Sequence, residues 1–335
     1  MPLVSLEGLF LCAKLFMKDP WEKTEYAPKR LRAFVDLVRP FTLLAPAVGG
    51  FSGACMAMLI QRNMGSPTLS TAFPFLDWPE LELYKIISGI ASLVLLNSAS
   101  NALNQVMDRD IDRVNKPYRP IPSGLISPKE GIWIAVLLYG LALWRATLVN
   151  RMFVLFVSVL ILNTIAYSVS PLRLKKRLWL SNISIALPRG LLGIVAAYSI
   201  VGDPFQPEPW LLGSVMAVFL VGSTTTKDIT DIEGDREFGM RTLPVVYGKR
   251  NAILVSVPFF VIPFVMMVAY WYLDFLPGPT LYVAVLFLMW SLLVAILLIK
   301  EGDREDEHFE NSPAWKQMYL MLMGMQIGFL SLFIL

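Results

Sequence analysis

The sequence is poor in the side chains that enzymes most often use for proton transfer and for binding transition metals. Its 335 residues include one histidine, His308, and two cysteines, Cys12 and Cys55, and only 16% of them are charged. A single histidine in a charged stretch argues against histidine general-base catalysis and against His-ligated metals. The cysteines lie in apolar stretches without zinc or disulfide spacing, so we expect both to serve packing. The small net charge of +3 does not suggest a nucleic-acid partner.

Apolar residues make up 56% of the chain, against roughly 45–50% in soluble globular proteins. Several apolar runs approach the roughly 20 residues that a bilayer-spanning helix needs, and no series of short alternating segments suggests a barrel. We predict an all-α, polytopic membrane protein of one domain, residues 1–335, with an interfacial N-terminal segment at 1–38. The nine predicted spans are residues 40–61, 86–107, 131–149, 152–170, 182–201, 210–227, 252–273, 279–299 and 317–335.

Basic residues are distributed unevenly between the two sets of loops that these spans define. With the N-terminus in the cytoplasm, all but five of the 29 lysines and arginines fall in cytoplasmic segments. The exceptions are Arg62, Lys85, Arg145, Arg151 and Arg189. Because cytoplasmic loops of membrane proteins are enriched in basic residues, this bias predicts the orientation. We therefore expect a multi-pass plasma-membrane protein whose central cavity opens to the cytoplasm.

The stretch NALNQVMDRDIDRVNKPYRPIPSG, residues 101–124, directly follows the uncharged run IISGIASLVLLNSAS, residues 86–100. Asn101, Asn104, Asp108 and Asp112 are spaced by three, four and four residues, which places them on one helical face. Asp110 points elsewhere, toward Arg109, Arg113 or water. A row of carboxylate and amide oxygens suits magnesium, which commonly binds one or two carboxylates together with substrate phosphates.

A second acidic stretch, TTTKDITDIEGDREFGMRTLP, covers residues 224–244 and also follows an apolar span. Asp228, Asp231 and Asp235 share one helical face there. One such cluster could be a solvated loop cap, but two clusters with matching spacing on the same predicted side of the membrane favour a functional site. Intramembrane aspartates cost about 2.5–3.5 kcal/mol each at the bilayer centre, so they persist beside a wet cavity, a metal or a counter-charge.

Basic side chains accompany both acidic stretches. YSVSPLRLKKRLW, residues 167–179, supplies Lys175, although positive-inside anchoring accounts for most of its four basic residues. Arg119 and Arg241 lie on loops stiffened or bounded by proline. Arg189 lies inside a predicted span, which indicates either a functional site or a structural pairing. Acidic groups for a metal and basic groups for the remaining oxygens together suggest a substrate rich in phosphate oxygens.

These motifs resemble those of the UbiA superfamily of membrane prenyltransferases. The first family motif reads here Asn104, Gln105, Asp108 and Asp112, and the second is similar to KDITDIEGD with Lys227. Tyr167 and Lys175 match the family's Tyr–Lys segment, and nine helices extend the resemblance over nearly the whole chain. Gln105 replaces the commoner Asp, which we expect to remove one carboxylate from the first site. Chlorophyll-synthase-like members and archaeal geranylgeranyl-glycerophosphate transferases share similar segments, so the branch stays open.

The resemblance implies Mg²⁺-dependent transfer of a prenyl group, geranylgeranyl or longer, from its diphosphate to a lipophilic acceptor. The acceptor would be a quinone precursor, an isoprenyl glycerophosphate or a chlorophyllide-type acid, with membrane lipids as surroundings. Two or more magnesium ions would bridge the diphosphate to Asn104, Asp108, Asp112, Asp228, Asp231 and Asp235. Catalytic roles are expected for Asp108, Asp112, Asp231 and Asp235. Substrate contacts are expected from Asn104, Arg119, Tyr167, Lys175, Arg189, Lys227 and Arg241, and Tyr118 is a further aromatic candidate.

The sequence supports three alternative functions less well than prenyl transfer. A cation or solute transporter would place carboxylates near the middle of its spans, often at broken helices. A CDP-alcohol phosphotransferase would carry a compact D-x-x-D-G-x-x-A-R pattern, which is absent from this chain. A soluble prenyl synthase would not need apolar spans.

Overall fold

The computed structural model describes residues 29–63, 80–302 and 313–334, and within these ranges the chain folds as helices without β-strands. Cys12, His308 and residues 1–28 of the predicted interfacial segment lie outside the described residues. The α-helices are α1 (Lys29–Val38), α2 (Pro40–Asn63), α3 (Glu80–Met107), α4 (Arg109–Asn115), α5 (Pro128–Thr147), α6 (Arg151–Ser168), α7 (Leu178–Ala186), α8 (Leu192–Tyr198), α9 (Pro207–Ser223), α10 (Thr225–Asp228), α11 (Ile232–Glu237), α12 (Leu243–Tyr247), α13 (Lys249–Ser256), α14 (Ile262–Tyr272), α15 (Thr280–Gly302) and α16 (Pro313–Ser331).

Seven helical stretches of the described chain are long and apolar enough to cross a membrane. They are Pro40–Arg62, Leu81–Met107, Arg151–Ser168, Leu178–Tyr198, Pro207–Asp228, Lys249–Tyr272 and Thr280–Gly302. The third and ninth predicted spans are also helical, as α5 with 20 residues and α16 with 19. They do not belong to the seven, since α5 has charged residues at both ends and α16 contains several polar residues. The prediction of nine spans is therefore confirmed for seven.

The fifth span is interrupted in its middle. Residues Leu187–Leu191 form a π-helical turn between α7 and α8. Pro188 lacks the amide hydrogen that a regular α-helical turn requires, which explains the local change of pitch. Gly190 faces α9 so closely that a Cβ there would lie 2.5 Å from Ala217 Cα. Arg189 lies between these two residues. The interruption thus sets the direction in which its side chain projects from the helix.

Small residues let the central helices approach one another. A Cβ added at Gly53 of α2 would lie 2.5 Å from the Cβ of Ala197 in α8. Buried hydroxyls add specific contacts, because Ser92 Oγ of α3 donates to the carbonyl of Ala142 in α5 at 2.7 Å. Such close approach and interhelical hydrogen bonds are the main sources of helix association in lipid. The rigid bundle that results holds the ends of α3, α6 and α9 around one cavity.

Candidate active site

Both acidic stretches lie where a long helix is interrupted. Helix α3 ends at Met107 and α4 begins at Arg109, with Asp108 between them. The backbone remains helical enough there that the Asp112 amide donates to the Asp108 carbonyl at 2.7 Å. In the second stretch, α10 ends at Asp228 and α11 begins after Asp231. The single helical face predicted for residues 228–235 is therefore broken by a turn, yet its three aspartates still line the same cavity.

That cavity has a volume of about 290 Å³. One end of the cavity is lined by both acidic and basic side chains, and the remaining wall is mainly apolar. The polar end is lined by Asn104, Asp108, Asp112, Lys116, Arg119, Lys175, Lys227, Asp228, Asp231 and Asp235. The apolar wall includes Leu93, Leu96, Leu160, Ile185, Ile194, Leu220, Met318 and Leu322. A cavity of this kind fits a ligand with a charged head and an apolar tail.

In the first motif, each aspartate is held by a basic side chain from a loop. Lys175 Nζ lies 2.5 Å from Asp108 Oδ1 and 3.0 Å from Asn104 Oδ1. Arg173 adds a contact of 3.2 Å to the same Asp108 oxygen. A single nitrogen of Arg119, Nη1, donates to both carboxylate oxygens of Asp112, to Oδ1 at 3.0 Å and to Oδ2 at 2.8 Å. The predicted basic loops therefore reach the predicted acidic face.

In the second motif, Lys116 pairs with Asp231 and Lys227 pairs with Asp228. Lys116 follows the first motif in sequence, so its ion pair joins the two acidic stretches. Thr242 donates its hydroxyl to Asp235 Oδ2 at 3.3 Å, a long contact for a hydroxyl donor. Asp235 is thus the member of this motif with the weakest compensation for its charge.

Burial and crowding make several carboxyl groups of the site costly to keep charged. Burial, and then the neighbouring Asp228 and Asp231, raise the pKa of Asp235 to about 7. Burial also raises the pKa of Asp112, even though Arg119 acts in the opposite direction. Asp228 Oδ2 is buried and accepts no hydrogen bond from any residue that the structure describes. Carboxylate oxygens that are crowded, buried and incompletely bonded fit a hard divalent cation.

These carboxylates do not form a complete metal cage by themselves. Across the described residues, no three Asp, Glu, His or Cys side chains are arranged to hold one metal ion together. Basic partners occupy several of the carboxylate oxygens instead. Magnesium usually keeps waters and substrate phosphate oxygens in its shell, so one or two protein carboxylates per ion are sufficient. The donor set therefore fits magnesium that arrives with a phosphate-bearing substrate.

Tyr167 lies between two of the lysines of the site. The Nζ of Lys175 is 5.7 Å from the centre of the Tyr167 ring, within the range of a cation–π interaction. Lys227 is near enough to the Tyr167 hydroxyl to interact with it electrostatically, and both residues line the cavity. Burial lowers the pKa of Lys175, although Asp108 opposes that shift. The tyrosine thus lies beside both cations at the acidic end, where their charges favour an anionic ligand.

A second group of polar residues lines the cavity away from the two acidic motifs. Arg189 Nη2 donates to Asn97 Oδ1 at 3.3 Å, and the Tyr319 hydroxyl, also in the cavity wall, donates to the Thr42 carbonyl at 2.8 Å. Asn97 lies seven residues before Asn104 on α3, which is about 10 Å along the helix on the same face. Arg39 lines this part of the cavity as well. The cavity therefore has a cationic region separated from its acidic end.

Three residues that the sequence analysis associated with the site lie outside the cavity. The Arg241 side chain is exposed, and its backbone amide donates to the Lys176 carbonyl at 3.1 Å. Gln105 is buried and donates to the Leu37 carbonyl at 2.8 Å, since one step along α3 turns it about 100° from Asn104. The expectation that Gln105 removes a carboxylate from the site is wrong for that reason. Tyr118 is half-buried and is not part of the cavity wall.

Sequence reasoning missed four residues that shape the site, namely Asn115, Lys116, Arg173 and Thr242. Asn115 and Lys116 follow the first motif directly, and their nearness in sequence to Asp112 was the available signal. Arg173 stands in the same basic loop as Lys175, but nothing in the spacing separates it from its neighbours. Thr242 lies seven residues after Asp235, beyond the helical face that the aspartates define.

Known proteins provide an independent comparison with this geometry. The model of the UbiA prenyltransferase family matches residues 67–311. Digeranylgeranylglyceryl phosphate synthase from Halobacterium salinarum is 32% identical over 255 residues, which cover 72% of this chain and 82% of that protein. Homogentisate phytyltransferase from a Synechocystis species is 30% identical over 236 residues, covering 66% of this chain and 70% of the relative.

The fold is also similar to that of solved membrane proteins. The structure of a UbiA homolog from Archaeoglobus fulgidus bound to GPP and Mg²⁺ aligns with a TM-score of 0.67 at 20% sequence identity. The alignment covers 89% of this chain and 99% of that structure. The helical bundle is therefore shared well beyond the level of sequence similarity.

Proposed function

The chain belongs to the UbiA prenyltransferase family, and from that premise we propose that it moves a long prenyl group from a prenyl diphosphate to a lipid-soluble acceptor. The observation that carries this proposal is the meeting of two acidic motifs and four basic side chains at one end of an apolar-walled cavity. The relatives that are prenyltransferases, and the homolog bound to GPP and Mg²⁺, support the same reaction class. The family match gives no support to the transporter and phosphotransferase alternatives.

Asn104, Asp108, Asp112, Asp228, Asp231 and Asp235 would hold the magnesium, two or more ions, with the diphosphate. Bound there, the metal neutralises negative charge on the departing diphosphate. Lys175, Lys227 and Arg119 donate to the remaining oxygens, which stabilises the same charge by preorganised cations. Each charge-assisted contact strengthens as the carbon–oxygen bond breaks and its electron pair moves to the diphosphate.

The apolar wall has a separate chemical task. The prenyl carbon that loses diphosphate carries an allylic positive charge, which water would capture if the pocket were wet. Leucine, isoleucine and methionine side chains along the wall exclude water and accommodate the chain, which we propose is geranylgeranyl or longer. An oxygen or ring carbon of the acceptor then forms the new bond to that prenyl carbon and loses its proton. The tyrosine ring at residue 167 adds a polarisable face beside the reacting centre.

We place the acidic end of the cavity on the cytoplasmic side of the plasma membrane, in a bundle of nine spans. The asymmetry of lysine and arginine supports this orientation. The length of α5 and α16, at 20 and 19 residues, supports counting both as spans. A water-soluble diphosphate would then enter and leave at the cytoplasmic surface while the prenyl chain stays within the bilayer.

A transfer assay tests the proposed function. Purified protein in lipid nanodiscs is incubated with labelled geranylgeranyl diphosphate, magnesium and one acceptor at a time. The acceptors are an isoprenyl glycerophosphate, an aromatic quinone precursor and a chlorophyllide-type acid. We expect a lipid-soluble labelled product and one released diphosphate per turnover with at least one of them. Diphosphate binding without any prenylated product would contradict the choice of acceptors, and absence of binding would contradict the reaction class.

The two lysines beside Tyr167 provide a test of diphosphate binding. Lys175→Ala and Lys227→Ala each remove one charge-assisted contact, worth roughly 1.5–3 kcal/mol, so affinity for prenyl diphosphate should fall about ten- to a hundredfold. Titration calorimetry with a non-reactive prenyl diphosphate analogue measures the loss. Lys176→Ala is the matched control, because Lys176 neighbours Lys175 but does not line the cavity. Unchanged affinity in both cavity variants would remove these lysines from the site.

Arg189 supports an acceptor that carries its own anionic group. It lies within a membrane span, lines the cavity and donates a hydrogen bond to the neutral side chain of Asn97. An arginine that projects from a membrane span into a cavity favours a phosphate or carboxylate partner. Both the glycerophosphate and the chlorophyllide-type acceptors would supply one, and so would quinone precursors that bear a carboxylate.

Replacement of Arg189 should therefore separate acceptor binding from diphosphate binding. In Arg189→Ala we expect the KM for an anionic acceptor to rise about tenfold or more, while the KM for prenyl diphosphate stays near the wild-type value. Arg151→Ala serves as the control, since Arg151 is exposed at the far end of α6 from Tyr167. A variant with an unchanged acceptor KM and a lowered Tm would instead show that Arg189 is structural.

A further inference from the structure

Asn115 connects the two acidic motifs through its side-chain amide. Its Nδ2 donates to the backbone carbonyl of Asp231 at 3.0 Å, and its Oδ1 accepts from the backbone amide of Gly234 at 2.8 Å. Asn115 is the last residue of α4, which follows the first motif, whereas both partners belong to the second. One side chain thus fixes the spacing between two stretches that are more than 100 residues apart in sequence.

The bond to Gly234 replaces a contact that helices usually make for themselves. Asp231 occupies the N-cap of α11, and Gly234 is the third residue of that helix. An aspartate at an N-cap normally accepts from the amide of the second or third residue. Asp231 makes no such bond, and its carboxylate instead pairs with Lys116 in the cavity wall. Asn115 satisfies the Gly234 amide, so the Asp231 carboxylate remains available to the site.

Gly234 permits this contact because it has no side chain. A Cβ at this position would lie 2.7 Å from both the nitrogen and the oxygen of the Asn115 amide. Gly234 is also buried, so the two groups cannot separate into solvent without moving α11. The glycine is therefore explained by the close approach of Asn115, since alanine would otherwise favour this short helix.

We propose that Asn115 is a positioning residue that caps α11 from another helix and thereby directs the Asp231 carboxylate toward the metal and the diphosphate. This proposal rests on the proposed function, because it assigns Asn115 a role at that same site. In its absence, Asp231 would rotate to cap Gly234 and withdraw from Lys116 and the cavity. The loss would affect metal and diphosphate binding and leave the distant Arg189 region unchanged.

The test measures metal binding rather than turnover. Mn²⁺ is titrated by electron paramagnetic resonance into wild type, Asn115→Ala and Gly234→Ala, each in the presence of a non-reactive geranylgeranyl diphosphate analogue. Groups that orient metal ligands typically change metal affinity by about 10–100-fold, so we expect a loss of at least about tenfold in both variants. Asn251→Ala is the matched control, since Asn251 is exposed, lies outside both acidic motifs in sequence, and donates to the nearby Tyr247 carbonyl.

A double-mutant cycle separates positioning from general destabilisation. In an Asp231→Asn background, Asn115→Ala should cause no further loss of Mn²⁺ affinity, because the carboxylate on which it acts has gone. If Asn115→Ala does not fold, Gly234→Ala replaces it in the same cycle. Wild-type affinity in the variants, or equal losses with and without Asp231, would overturn the proposal. Failure of wild type to bind Mn²⁺ with the analogue would instead contradict the proposed function.

Discussion

Asp235→Asn is expected to reduce prenyl-transfer turnover by at least about a hundredfold, the scale seen when one preorganised group that stabilises transition-state charge is removed. The substitution keeps the shape of the side chain and removes its charge. Asp235 is buried, and within the described part of the chain its carboxylate accepts only a long hydrogen bond from Thr242. Its charge therefore stabilises the fold little and is available to a metal. Initial rates with saturating magnesium and prenyl diphosphate measure the effect.

The matched control for this substitution is Asp110→Asn. Asp110 lies in the first acidic stretch, but it is exposed and pairs with Arg109 and Arg113 outside the cavity. Exposed ion pairs contribute about 0–1 kcal/mol, so this variant should retain wild-type turnover and stability. Asp235→Asn should also keep its thermal unfolding midpoint. Equal loss of activity in both variants, or wild-type turnover in Asp235→Asn, would show that Asp235 does not bind the metal.

The length of apolar runs predicted much of the fold, because lipid imposes a simple rule on sequence. Spanning segments must satisfy their backbone internally and be apolar for roughly 20 residues, so long apolar runs mark them directly. The span predicted at 182–201 was found at Leu178–Tyr198, a shift of three to four residues. Its π-helical turn at Leu187–Leu191 was not predicted, since the change of pitch depends on how Pro188 and Gly190 pack against α9.

The acidic face of the site was predictable for a similar reason. Asn104, Asp108 and Asp112 recur at helical spacing, and the structure places all three in the cavity wall. The basic partners were less predictable, because loops carry no periodicity that identifies an inward side chain. Arg119 and Lys175 are buried against aspartates, whereas Arg241, which the sequence placed with them, is exposed. Positive-inside anchoring and ligand binding use the same residue types, so only tertiary contacts separate the two roles.

Removal of magnesium is the second large expected effect. Chelation with EDTA should lower prenyl-transfer turnover to background, because the metal supplies much of the charge that balances the departing diphosphate. Adding excess Mg²⁺ or Mn²⁺ should restore it. The fold should survive the treatment, since Lys116, Arg119, Lys175 and Lys227 already neutralise four of the carboxylates. Turnover assays and thermal unfolding in the same buffers measure both outcomes.

Two controls make the result of chelation specific. Calcium EDTA should leave turnover nearly intact, because a chelator already loaded with calcium removes little magnesium. The thermal unfolding midpoint should change by no more than a few degrees, which excludes loss of activity through unfolding. Full turnover in excess EDTA would contradict the requirement for a metal.

The central claim is that both acidic motifs together hold one prenyl diphosphate through divalent metal ions. The most direct measurement is an experimental structure with Mn²⁺ and a non-reactive geranylgeranyl diphosphate analogue, in which anomalous scattering locates the metal. We expect manganese between the Asp108–Asp112 and Asp228–Asp235 motifs, with the diphosphate beside Lys175 and Lys227 and the prenyl chain along the apolar wall. Manganese or diphosphate bound away from either motif would contradict it.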